Sequence, residues 1–185
     1  MIKINNLSHS FGEISVLRNF SLDIDEGIYA LMGKSGSGKT TLIRLISGME
    51  SIQSGSINVD SPISVSFQEN RLFPWYSALK NVEIVSDKRT ARKILSELNL
   101  ENSLNKYPSE LSGGMKRRVS LARALAAKSK TILLDEPFSG LDNETAQNTL
   151  NIIRKYSHGK TVLISTHNNV IAEQLDKIIY INPLN

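Results

Sequence analysis

The chain has 185 residues, 40% of them hydrophobic and 22% charged, enough for one domain with a sizeable core and room for a small insertion. With no cysteine there is no disulfide framework, thiolate metal site or cysteine nucleophile; no apolar run approaches the roughly 18 residues of a membrane span, and Met1–Asn5 lacks a signal-peptide core, which predicts a cytosolic chain. The net charge of +4 suits nucleotides, nucleic acid or an anionic surface, and equally suits plain solubility.

Short β-like runs come first, at Ile2–Leu7, Phe20–Ile24 and Ile28–Met32. The third leads into Gly33-Lys34-Ser35-Gly36-Ser37-Gly38-Lys39-Thr40, a full match to G-x-x-x-x-G-K-[ST], and a helix is expected over Lys39–Ser47, closed by Gly48. Glycines let the amides from about Ser35 to Thr41 curl around a phosphate, and the helix turns its positive end to the same anion. Lys39 can reach β- and γ-phosphates, and the Thr40 hydroxyl can ligate Mg²⁺. Ser56–Val59 and Ile63–Phe67 read as further strands, and residues 77–127 as mostly helical, with Ala91, Leu95 and Leu98 at helical spacing. Within that stretch Ser112-Gly113-Gly114 opens an amphipathic helix. Glycine is costly inside a helix, so this pair serves either a tight cap or the close approach of an anion.

Thr131–Leu134 is wholly apolar, as in a strand buried on both faces, and Asp135 and Glu136 end it. In a parallel sheet ligands sit at the carboxyl ends of strands, so Asp135 is expected to hold Mg²⁺ through water and Glu136 to orient or deprotonate a water. A helix over 143–157, a strand over Thr161–Ser165, a short helix and a last strand at Lys177–Ile181 follow. This alternation predicts a parallel α/β sheet, with 77–127 inserted between its halves.

In their order these motifs closely resemble the ATP-binding cassette (ABC) family, the nucleotide-binding subunits of transporters. Leu111-Ser112-Gly113-Gly114-Met115 is similar to the family signature, Gln68 to its Q-loop glutamine, Ser139-Gly140-Leu141-Asp142 to its D-loop and His167 to its switch histidine. Phe11 stands where the family puts an aromatic that stacks on adenine. The resemblance implies a P-loop NTPase core with a mostly parallel sheet, a small antiparallel β-subdomain and an inserted helical subdomain at about 77–127, all within one 1–185 domain. It implies a head-to-tail dimer with ATP and Mg²⁺ at two shared sites, in which Ser112, Gly113 and Gly114 of one copy face the γ-phosphate held by the other. Gln68 would sense metal and γ-phosphate, His167 would contact the γ-phosphate or the attacking water, and Asp142 would act across the dimer.

Leu72-Phe73-Pro74-Trp75 and Met115 resemble the nitrate, sulfonate and taurine importer branch. Phe73 and Trp75 then either receive a permease or plug the insertion onto the sheet. The resemblance implies an importer of a small anion on the cytoplasmic face of the membrane, with a transmembrane permease, an extracytoplasmic binding protein and no nucleic acid as partner. An exporter subunit and a soluble ATPase are the alternatives. The compressed 55–68 stretch predicts a reduced β-subdomain, and the short tail predicts no C-terminal regulatory domain.

Overall fold

The computed structural model describes residues 1–181. Five strands form an all-parallel sheet: β3 (Gly27–Met32), β5 (Ile63–Ser66), β6 (Thr131–Asp135), β7 (Thr161–Ser165) and β8 (Lys177–Tyr180), in the order β5-β6-β7-β3-β8. Every residue of β6 and β7 is buried, so their runs of Ile, Leu and Val pack on both faces. One face receives α1 (Lys39–Ile46) through Leu42, Ile43, Leu45 and Ile46, together with Leu133, Leu163 and Leu31 of the strands. Against the other face packs α5 (Asn143–Tyr156), which buries Ala146, Leu150 and Ile153 beside Ile132, Leu134, Val162 and Ile164.

A second sheet is antiparallel, β2-β1-β4, made of β1 (Ile2–Phe11), β2 (Ile14–Ile24) and β4 (Ser54–Val59). Here the sequence reading is corrected: β1 runs four residues past Leu7, and β2 begins six before Phe20. The register shifts at three places along the β1–β2 pair, and Asn6 (φ 47) and Asn19 (φ 48) adopt left-handed backbone conformations. Ser8 Oγ accepts from the Asn19 amide at 2.9 Å. Such irregularities break the strict apolar alternation on which a strand is read. The longer hairpin matters, because it brings Phe11 and Val16 to the cleft beside the loop between β3 and α1.

Residues 77–127 hold three α-helices, α2 (Ala78–Glu83), α3 (Lys88–Glu97) and α4 (Gly113–Ala126), with single 3₁₀ turns at Glu101–Ser103 and Pro108–Glu110. Ser77, Asp87 and Ser112 cap the three helices by accepting from Lys80, Thr90 and Met115 amides. Their apolar faces share a core with α5 through Leu79, Val82, Ile94, Leu95, Leu121 and Leu125. A buried hydroxyl pair, Ser66 Oγ and Ser120 Oγ at 3.0 Å, ties α4 to β5. The last helix, α6 (Asn169–Ala172), precedes β8.

Candidate active site

The loop between β3 and α1 is shaped by glycines for two separate reasons. A Cβ on Gly33 would stand 2.5 Å from both the Ile181 carbonyl and Ser37 Oγ, and one on Gly38 2.7 Å from Val16 Cγ1. These two glycines let the loop pack against its own scaffold. Gly36 (φ +78) has no atom within 4 Å of its Cβ position and lines the cleft instead. The first hydrogen bond of α1 is from the Leu42 amide to the Gly38 carbonyl at 2.8 Å, so the amides before it face the cleft mouth with the helix dipole behind them. Lys39 is buried, and its ammonium donates to the carbonyls of Gly33 (2.8 Å) and Lys34 (3.2 Å), which hold it over the loop.

The carboxyl ends of β6 and β7 supply the other wall. Thr40 Oγ1 donates to Asp135 Oδ2 at 2.8 Å, and Ser165 Oγ donates to Asp135 Oδ1 at 2.6 Å. Glu136 sits in a left-handed conformation, φ 52, a strain of about 1–3 kcal/mol for a residue other than glycine. Two bonds from its amide, to Ser165 Oγ at 2.9 Å and to the Ser165 carbonyl at 3.2 Å, fix it there. The turn aims the carboxylate away from the strand axis and toward His167, whose Nε2 lies 3.1 Å from Glu136 Oε1. That contact is close enough for an ion pair, but it lacks the alignment of a hydrogen bond, so Oε1 keeps acceptor capacity. Burial pushes the Glu136 carboxyl above the usual glutamate range; His167 and Lys39 oppose the rise and Asp135 adds to it.

A cleft of about 380 Å³ brings together Phe11, Ser35, Gly36, Gly38, Lys39, Thr40, Thr41, Gln68, Asp135, Glu136 and His167. Phe11 is half-exposed at the rim, braced edge-on by His9 with ring centroids 4.9 Å apart. A recess beside the cleft is lined by Thr40, Gln68 and Asp135. Gly33, Lys34 and Ser37 shape the loop without lining the cleft. Ser112, Gly113, Gly114 and Asp142 stand outside it. Ser112 Oγ accepts from the Met115 amide at 3.3 Å, and space is open around both glycines. Asp142 caps α5 by accepting from Thr145 N at 2.9 Å and Thr145 Oγ1 at 2.7 Å, bonds that hold its carboxyl below the usual range. The Arg117 guanidinium of α4 donates to the Ser139 carbonyl, which joins α4 to the segment that leads into α5.

Two contributors escaped the sequence reading. Ser165 supports both acidic residues, and its only signal was a hydroxyl ending an apolar strand. Val16, on the extended part of β2, lines the cleft and carried no signal.

A family model described as ABC transporter matches residues 17–139. The chain belongs to the ABC transporter family. This cassette is 43% identical over 175 residues to an aliphatic sulfonates import ATP-binding protein of Pseudomonas syringae pv. tomato, covering 90% of this chain and 64% of that protein. The corresponding protein of Zymomonas mobilis is 42% identical over 180 residues, with 90% and 75% covered. The glutamine transport ATP-binding protein of Escherichia coli is 36% identical over 210 residues, with 98% and 88% covered. The chain thus spans a little under two thirds of the length of the Pseudomonas relative. Among solved structures, a dimeric ATP-binding cassette in a post-hydrolysis state with ADP and Pi superposes with a TM-score of 0.89 at 30% identity, covering 100% of this chain and 97% of that one. The cassette therefore has the ABC ATPase fold expected from its motifs.

Proposed function

We propose that the chain is the ATP-binding and ATP-hydrolysing subunit of an ABC importer for a small anion. The observation that carries this is the convergence of Lys39, Thr40, Asp135, Glu136 and His167 on one cleft at the carboxyl ends of the parallel strands. The importer direction and the anionic cargo are supported by the relatives named for aliphatic sulfonate import.

Phe11 offers its exposed face to the adenine, and the amides of Ser35–Thr41 with Lys39 hold the phosphates. A Mg²⁺ ion suits the hydroxyl–carboxylate pair of Thr40 and Asp135, with Gln68 beside it, because this ion takes few protein ligands and keeps phosphate oxygens and water. When bound, the ion would neutralise charge on the β- and γ-phosphates. Glu136, with its raised affinity for a proton and an acceptor oxygen to spare, takes the proton of the attacking water. His167 holds that carboxylate in line, and Lys39 neutralises charge spreading over the γ-phosphate.

Because Ser112, Gly113 and Gly114 lie outside the chain's own cleft, their donors complete the site of a second copy, with Asp142 at the same junction. Residues 77–127 act as the helical subdomain that meets a transmembrane permease at the cytoplasmic face, with Phe73 and Trp75 as its aromatic step. An extracytoplasmic binding protein delivers the cargo.

Two measurements test this. Lys39→Ala should abolish tight ATP binding in equilibrium dialysis, and unchanged affinity would remove the loop from the site. Purification of the tagged chain from native membranes in mild detergent with ATP and Mg²⁺ should bring down a multi-span permease. Recovery of ribosomal or DNA-bound proteins alone would end the transport reading.

A further inference from the structure

At the opposite pole of the sheet lies a pocket of about 710 Å³, larger than the nucleotide cleft and within the size range of small-molecule sites. Lys128 and Lys160 reach it from just before the amino ends of β6 and β7, whereas Asp135 and Ser165 stand at the carboxyl ends of the same strands. Neither ammonium forms an ion pair among the described residues. Burial alone draws the Lys160 pKa below the ordinary lysine value, with no carboxylate contributing. Lys128 is exposed and Lys160 partly buried, so an anion held between them would offset the desolvation of Lys160.

The pocket is built rather than incidental. Lys160 is pinned through its main chain, since its carbonyl accepts from Gly27 N at 3.1 Å and its amide donates to the Ser157 carbonyl at 3.1 Å. Ser129, next to Lys128, is anchored by a buried hydroxyl pair with Ser64 at 2.9 Å. One carboxylate, Asp87, is also on the wall: Oδ1 accepts from Thr90 N at 2.9 Å and Oδ2 from Thr90 Oγ1 at 2.7 Å, bonds that keep it ionised, so the two ammonium groups exceed it by a single positive charge. Tyr156 adds no negative charge, because burial and then the Glu97 carboxylate push its phenol up to about 12. Apart from Ser86 and Thr90 the remaining wall is apolar, with Val85, Leu125 and Ala126 along it.

We propose that this pocket binds a soluble aliphatic monoanion, its head between the Lys128 and Lys160 ammonium groups and its tail along Val85, Leu125 and Ala126. The site goes beyond the ATP reading and shares no lining residue with the nucleotide cleft, so either can fail without the other.

The test is calorimetric titration of the intact chain with octanoate, with 1-octanol and sulfate as controls. Octanoate should bind with ATP and without it. The double variant Lys128→Gln/Lys160→Gln should bind about tenfold or more weakly, the loss of a hydrogen-bonded charge contact, and 1-octanol should be weaker by a similar factor. Val85→Glu, on an exposed position, should weaken binding with both lysines in place, and ATP affinity should stay unchanged in all variants. Equal octanoate affinity in the double variant, or equal affinity for octanol, would overturn the proposal. So would lysine-dependent capture by phosphatidylglycerol vesicles with no octanoate binding, which would make the pair a lipid-surface contact.

Discussion

Glu136 is held where a carboxylate is least at ease: half-buried, in a left-handed turn, with Asp135 beside it. A carboxyl whose pKa is raised in the folded chain favours folding in its protonated form, and that contribution is lost as pH rises through the folded pKa. Glu136→Gln should therefore melt above the wild type at pH 8, and the gap should shrink as pH falls toward about 4, the ordinary glutamate range. A gap that widens on acidification would show that the carboxyl is not raised. The same sign applies to turnover, which should decline in acid starting above that ordinary range. Ser165 is the hinge of this arrangement, since one hydroxyl serves both Asp135 and the Glu136 amide. Ser165→Ala removes a bond to a buried carboxylate and should cost about 2 kcal/mol in urea denaturation, with a parallel fall in turnover because Glu136 loses a tether. Unaltered stability and turnover would make Ser165 a bystander.

Among the elements, β6 carries the most at the least tolerance. Ile132, Leu133 and Leu134 have no exposed surface, and Leu134→Ala should destabilise the chain by about 3 kcal/mol in urea denaturation. A loss well under 1 kcal/mol would place that face of the sheet outside the core. Such a strand was legible in the sequence because three consecutive apolar residues after a β-branched threonine and before two acids suit a short, doubly buried strand. The glycine-rich loop and the Ser112-Gly113-Gly114 opening of α4 were legible for similar reasons, each tied to residue types with few local uses. The β1–β2 hairpin was not, because its shape depends on register shifts and on Asn6 and Asn19 in left-handed conformations, which erase the period-two signal. Ser165 was hidden differently: its role comes from the neighbouring strand, and no local pattern reports what a parallel neighbour places beside a side chain. The Arg117 bond to Ser139 is equally non-local.

At the scale of the whole molecule, the sheet separates two kinds of surface. Its carboxyl end gathers the Gly33–Thr40 loop and the acids into a cleft, while Gly113 and Gly114 at the mouth of α4 stand outside that cleft with open space around their Cβ positions. On the proposed reading that mouth is a half-site completed by a second copy, and the related cassette solved as a dimer with ADP and Pi supports that arrangement. Glu136→Gln with ATP and Mg²⁺ should sediment as a dimer and return to monomer when ATP is removed. Adding Ser112→Glu, which sets a like charge against the partner's phosphate, should keep it monomeric. A dimer indifferent to ATP would mean that the interface lies elsewhere.

The most direct measurement is phosphate release from ATP by the wild-type chain and by Glu136→Gln, made beside ATP binding on the same samples. Glu136→Gln should bind ATP as tightly as the wild type and release phosphate at least about a hundredfold more slowly, the lower end of what a general base contributes. Phosphate release at the wild-type rate would remove Glu136 from the chemistry and leave the cleft as a binding site only.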